Sequence, residues 1–118
     1  MIATTAEYQQ IASTIARQIN ASAATPLFMG CAGAKNLVFL KGESIINPGS
    51  GIRGGLMFRA TCSPGAKVII ELTAADTYTV QIGRVRGADY KVLKTVEDVY
   101  CDQLAEVIAG PLKLTDFV

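Results

Sequence analysis

Apolar positions near the start of the chain recur at helical spacing. Tyr8, Ile11, Ala12, Ile15 and Ile19 form one stripe, with Gln9, Gln10, Ser13, Arg17 and Gln18 opposite, the signature of an amphipathic helix. Thr4-Thr5-Ala6-Glu7 reads as a capping box ahead of it. The spacing predicts a helix over 5–20, ended by Asn20-Ala21-Ser22 and barred from continuing by Pro26. Leu27-Phe28-Met29 is a short apolar run broken by Gly30 and Gly33. Asn36 to Lys41 reads as a strand. The segment Asn47 to Gly55 is crowded with glycine, which predicts a mobile loop.

From Leu56 the period becomes two, the alternation of half-buried strands. Leu56, Phe58, Ala60 and Cys62 face one way, with Met57, Arg59 and Thr61 the other. After the turn Ser63-Pro64-Gly65-Ala66, residues Val68, Ile70 and Leu72 point inward, leaving Lys67, Glu71 and Thr73 outward. Ala74 to Thr77 turns the chain again, and Tyr78, Val80 and Ile82 alternate with Thr79 and Gln81. Gly83 suits a bulge that turns Val85 inward and Arg84 and Arg86 outward. Gly87-Ala88-Asp89 is a third turn, after which Tyr90, Val92 and Val96 line an inner face. Regularly spaced turns mark an antiparallel meander. A second helix follows, with Asp98 as N-cap, a buried stripe of Tyr100, Leu104, Val107 and Ile108, and a stop at Gly110-Pro111. The tail from Leu112 to Val118 reads as a short strand or packing arm. The expected fold is α+β: a four- or five-stranded antiparallel meander with an N-terminal and a C-terminal helix on one face.

Length and composition narrow the class. The 118 residues suit a single domain, and 50% apolar content with a net charge of +1 excludes a disordered chain. Histidine and tryptophan are absent, so imidazole catalysis and His-containing metal sites are excluded. Cys31, Cys62 and Cys101 are odd in number and form no C-x-x-C pair, which argues for structural thiols in a reducing, cytoplasmic setting. The first residues lack a secretory pattern, and no apolar run reaches membrane-spanning length. No enzymatic activity, cofactor or metal is implied.

Charge is segregated. Residues 35–94 carry nine basic and four acidic side chains, whereas residues 95–118 carry five acidic ones and Lys113. A basic sheet and an acidic closing helix are expected, forming two faces of opposite sign. Arg59, Lys67, Arg84, Arg86 and Lys91 are the candidate nucleic-acid contacts, on the reading that they emerge together from the water-facing side of the sheet. The plainer alternative is a solvated face guarding a sheet edge. Phe58, Tyr78 and Tyr90 all read inward, leaving that surface without stacking aromatics. Lys35 and Asn36 in a tight turn, and Arg53 among glycines, are candidate loop contacts. Two partner classes stay open. One is nucleic acid; the other is a host protein, in an accessory role towards host or anti-phage defence machinery. Edge strands also invite pairing, so a homodimer is expected.

Gly33-Ala34-Lys35-Asn36-Leu37, Ala75-Asp76-Thr77-Tyr78 and Asp98-Val99-Tyr100-Cys101-Asp102-Gln103-Leu104, in the order helix, strands, helix, resemble small phage- and mobile-element-encoded proteins of unassigned function. That resemblance implies a mobile-element origin and carries over no site residue. Residues 56–109, four strands and then a helix, are similar in topology to the transcription-coactivator and Whirly single-stranded-DNA-binding module. This likeness implies dimers and concerns topology alone.

Overall fold

In the computed structural model, which describes residues 4–23 and 28–114, helix α1 (Thr5–Ser22) begins as the capping box predicts. The Thr4 side chain accepts the Glu7 N–H at 3.2 Å. The helix runs two residues further than its apolar stripe required, and Ala12, Ile15 and Ile19 are its buried positions. Pro26 and the tail beyond Leu114 lie outside the described residues. The run beginning at Phe28 is a five-residue helix, α2 (Phe28–Ala32). Asn20 at the end of α1 ties it down, its Oδ1 accepting the Met29 N–H at 2.9 Å.

Five strands follow: β1 (Ala34–Leu40), β2 (Gly54–Ala60), β3 (Ala66–Leu72), β4 (Tyr78–Arg86) and β5 (Asp89–Val99). They pair antiparallel in sequence order, the predicted meander, with β1 and β5 at the edges. The fold is α+β, with one more helix than the periodicity indicated. No helix among the described residues is long and apolar enough to cross a membrane.

The inner face of the sheet alternates as the apolar pattern demands. Leu56, Phe58 and Ala60, Val68 and Ile70, and Tyr78, Val80 and Ile82 join the buried residues of α1, α2 and the closing helix in one core. That helix, α3 (Leu104–Leu112), departs from expectation at both ends. Asp98 does not cap it but sits inside β5 with φ 55°, and Tyr100 is 60% exposed rather than buried. Gly110-Pro111 does not stop it either. The chain turns only at Lys113, in the left-handed region, where the Leu114 and Lys113 N–H groups donate to Ala109 and Gly110 at 2.9 and 3.2 Å. Burial of Leu112 and Leu114 at this terminus explains the extra turn.

The segment between β1 and β2 is not a free crossover. Glu71 on β3 points away from the core, as its parity requires, yet is only 1% exposed. Its carboxylate accepts the Ser44 hydroxyl at 2.7 Å and the backbone N–H groups of Ile45 and Ile46 at 2.7 and 3.3 Å. The Ser44 oxygen in turn accepts the Asn47 N–H at 2.8 Å. A bridge between Glu43 and Gly51 closes the loop above this clamp. Burying a carboxylate is tolerated when charge-assisted hydrogen bonds replace its hydration. Alternation alone predicts a solvated Glu71, because parity specifies the face and not the loop that folds over it. Replacing Glu71 by Ala strands three donors and should cost about 3 kcal/mol. Chemical denaturation checks this, and hydrogen exchange should show the Ile45 and Ile46 amides losing protection first. Glu71→Gln keeps the shape and one acceptor, so it should recover part of the loss.

Candidate functional site

Residues directly opposite one another on neighbouring strands share a face, so the ladder decides where each candidate cation emerges. On the outer face, Lys35 is opposite Arg59, Arg59 opposite Lys67, and Lys67 opposite Gly83. Three cations thus form a row across β1, β2 and β3. Asn36, with φ 56° at the bulge of β1, joins Lys35, Arg59, Thr61 and Pro64 around an open cleft of about 360 Å³.

The remaining candidates emerge on the other side. Arg84 is opposite Ala66, which is 1% exposed in the core, and Lys91 is opposite Arg84. Arg86 pairs with Asp89 in the same parity. The expected common surface for Arg59, Lys67, Arg84, Arg86 and Lys91 therefore divides into two. The cause is the position of the bulge. It lies not in β4 at Gly83 but in β5, where Leu93 is the extra residue between Val92, opposite Gly83, and Lys94, opposite Ile82. β4 keeps its alternation, so Val85 goes outward and Arg84 and Arg86 stay on the inner side. β5 is displaced instead, so Tyr90 and Val92, read as inward, lie on the outer face, 41% and 48% exposed.

That correction puts an aromatic ring among the cations. The phenol end of Tyr90 lies over Gly83, where a Cβ would fall 2.4 Å from its Cζ. Its hydroxyl donates to Gln81 at 3.0 Å, and Gln81 donates to Thr95 at 3.2 Å. The Lys67 ammonium stands 5.9 Å from the ring centroid, within cation–π range. Tyr90 is an aromatic beside a cationic row, the element missing from the sequence reading.

Although split between faces, the cations share one end of the sheet. Lys35, Arg59, Lys67, Arg84, Arg86 and Lys91 all lie in the rows next to the β2–β3 and β4–β5 turns, with Asp89 as the accompanying carboxylate. None of the six forms an ion pair among the described residues; the pair present joins Arg53 to Asp76 at the opposite end. Arg53 is thus remote from the other candidates, and its own N–H is bonded to Leu72 at 2.8 Å. Glu71, Asp76, Glu97 and Asp98 also belong to that far end, where Leu72 pairs with Tyr78 and Tyr78 with Val99. Charge is therefore separated along the strands rather than between a basic sheet face and an acidic helix face.

Cys31, Cys62 and Cys101 are free and exposed. Burial pushes the Cys62 thiol up, away from the reactive thiolate. Comparison with known proteins adds no relative: no family model, curated protein or solved structure matches the chain.

Burial also raises the phenols of Tyr90 and, with smaller contributions from Cys101 and Asp76, Tyr78. Folding favours their neutral form. The stability this supplies is whole below the ordinary tyrosine value of about 10 and is lost as pH rises through the elevated folded values. Absorbance titration at alkaline pH should show both ionising late, and Tyr90→Phe should remove one late phase without affecting the other.

Proposed function

We propose that the chain is a non-enzymatic binding protein that associates with nucleic acid through the cationic end of its sheet. Like charges directly opposite on adjacent strands destabilise a sheet. Here they recur at Lys35–Arg59, Arg59–Lys67 and Arg84–Lys91. That repeated juxtaposition, with no carboxylate bridging it among the described residues, is the observation that carries the reading. A phosphate backbone between such cations turns the repulsion into counterion release on binding. Tyr90 supports a single-stranded ligand, since an exposed ring beside a cationic row offers a base a surface to stack on. The resemblance to mobile-element proteins supports a phage or mobile-element origin, and the unpaired cysteines support a cytoplasmic site of action.

Fluorescence anisotropy with a single-stranded oligonucleotide in low salt tests this. Binding should weaken linearly on a log–log plot against salt, and each of Arg59→Gln and Lys67→Gln should reduce the slope by roughly 0.7. Tyr90→Ala should weaken binding about tenfold at constant slope. An oligonucleotide that fails to bind in low salt overturns the proposal.

A second reading, protein association in place of nucleic acid, is favoured by the two sheet edges. Leu37 and Val38 on β1 and Tyr90, Val92 and Leu93 on β5 are large apolar side chains left exposed. After Asp89, β5 carries Lys91 and Lys94 towards its middle and Glu97 and Asp98 in its second half. Antiparallel pairing with a second copy of itself sets opposite charges side by side, so a homodimer is the form of this reading that the strand supports best. Sedimentation velocity should then show a dimer that Lys94→Glu splits and the added change Glu97→Lys restores. A monomer at every concentration sinks it.

A further inference from the structure

The outer-face row and Tyr90 account for half of the cations gathered at this end of the sheet. Arg84, Arg86 and Lys91 are on the other side, and with Asp89 and Leu93 they line an open cleft of about 310 Å³. That volume is at the small end of ligand-binding clefts. From these side chains we infer a second, separate binding site, for a phosphate group, on the core side of the β4–β5 hairpin. The inference rests on the polyanion reading above and assigns these residues their own ligand contact.

Three features carry it. Arg84 and Lys91 are register partners on adjacent strands and share the face that lines the cleft. Arg86 adds a third cation, and Asp89, its register partner, is the one carboxylate in the lining among the described residues. The cleft therefore keeps an excess of positive charge that an anion would neutralise.

Arg84 is also held in place. Its Nη2 donates to the Ser63 hydroxyl at 2.9 Å across the β2–β3 turn, and its aliphatic stem packs near Gly65. The guanidinium is thus positioned before any ligand arrives, which lowers the entropy lost on binding. Its compensation by the chain is incomplete: Nε is buried with no acceptor among the described residues. Incompletely compensated charge away from water is unfavourable, and the negative charge of a phosphate group beside the guanidinium offsets that cost.

Finally, Leu93 lies at the bulge, where an extra residue displaces β5 and brings its side chain to the same cleft. Bulges redirect side chains. Here the bulge separates Lys91 from Lys94 and gives the cleft an apolar wall beside its cations. A phosphate with an attached sugar fits such a lining better than a bare halide does. The shared chemistry is the phosphate group, whether from a nucleic-acid backbone or a free nucleotide.

The test follows the Arg84 side-chain Nε–H resonance of the full chain by NMR, with inorganic phosphate, a nucleoside monophosphate and a single-stranded oligonucleotide as separate ligands. The resonance should shift saturably. Lys91→Met, at an exposed position, should weaken that response about tenfold, while Lys41→Met, at the far end, controls for net charge and should leave it unchanged. Arg84→Lys, which removes that resonance, is followed instead through the Lys91 backbone amide and should weaken the phosphate response about tenfold; should that variant not fold, Lys91→Met decides alone. If the oligonucleotide binds while Arg84 stays unmoved and Lys91→Met binds as tightly as the parent, this site is overturned and the outer-face reading stands. If phosphate or the monophosphate saturates the site and the oligonucleotide never binds, the cleft is upheld with a free nucleotide as its ligand, and the nucleic-acid reading fails. If none of the three ligands binds the chain at all, both readings are overturned.

Discussion

The uninterrupted two-residue alternation of β2, β3 and β4 is the constraint on which the remaining architecture depends. Phe58, Val68 and Ile82 stand in one row and Leu56, Ile70 and Val80 in another, and three helices pack on the surface they make. A slip of one residue would carry every one of these side chains to the opposite face, so burial of the core fixes the register. The same register then fixes the cations, because Arg59 and Lys67 have the opposite parity to Phe58 and Val68. Arg84 has the parity of Ile82. The division of the basic residues between two faces is a by-product of packing the core correctly.

Three departures from alternation give the molecule its particular character, and all occur in edge strands. In β1, the shift between Lys35 and Val38 accommodates Asn36 in a left-handed conformation. In β5, Leu93 is inserted opposite the Ile82–Gly83 step, and a second extra residue falls opposite the Tyr78–Val80 step, where Asp98 is left-handed. An inner strand cannot take an extra residue without disturbing two ladders, whereas an edge strand disturbs one. That asymmetry explains why the irregularity predicted at Gly83 appears in its neighbour. Gly83 still has a role: without a side chain it leaves the space that the phenol end of Tyr90 occupies.

How much of this was legible in the sequence follows from how local each signal is. Helix α1, its cap and the inward residues of β2 and β3 were readable because capping and periodicity act within a few residues. The face of Tyr90 and Val92 was not, since it depends on which of two paired strands absorbs a bulge. Glu71 was read as solvated for a similar reason: its parity is local, but the Ser44-Ile45-Ile46 clamp is a contact between residues 26 or 27 apart. Asp98 looked like an N-cap because Asp before an apolar stripe usually is one, yet Val99 is drawn into the core as the end of β5 and the helix starts later. For the candidate site, the residue types were evident in the sequence and their convergence on one end was not. Positions 35, 59, 67, 84, 86 and 91 meet only through four separate strand pairings.

The two ends of the sheet solve opposite electrostatic problems by different means. At the far end, the carboxylate of Glu71 is buried and engaged by donors from a loop, while Arg53 meets Asp76. Those charges are compensated within the chain, and the result is structural closure. At the near end, cations stand opposite cations, and Arg84 keeps a buried nitrogen without an acceptor. The core residues beside them, Ala60 and Ala66, are small, so that end is held by the ladder rather than by bulky side chains. Substituting uncharged residues there would relieve repulsion without touching the core, which is the expected signature of a surface whose stability is traded against binding. The contrast places the strain at the near end, in the strand turns farthest from the loop clamp, where an anion can offset it without any rearrangement of the packed interior.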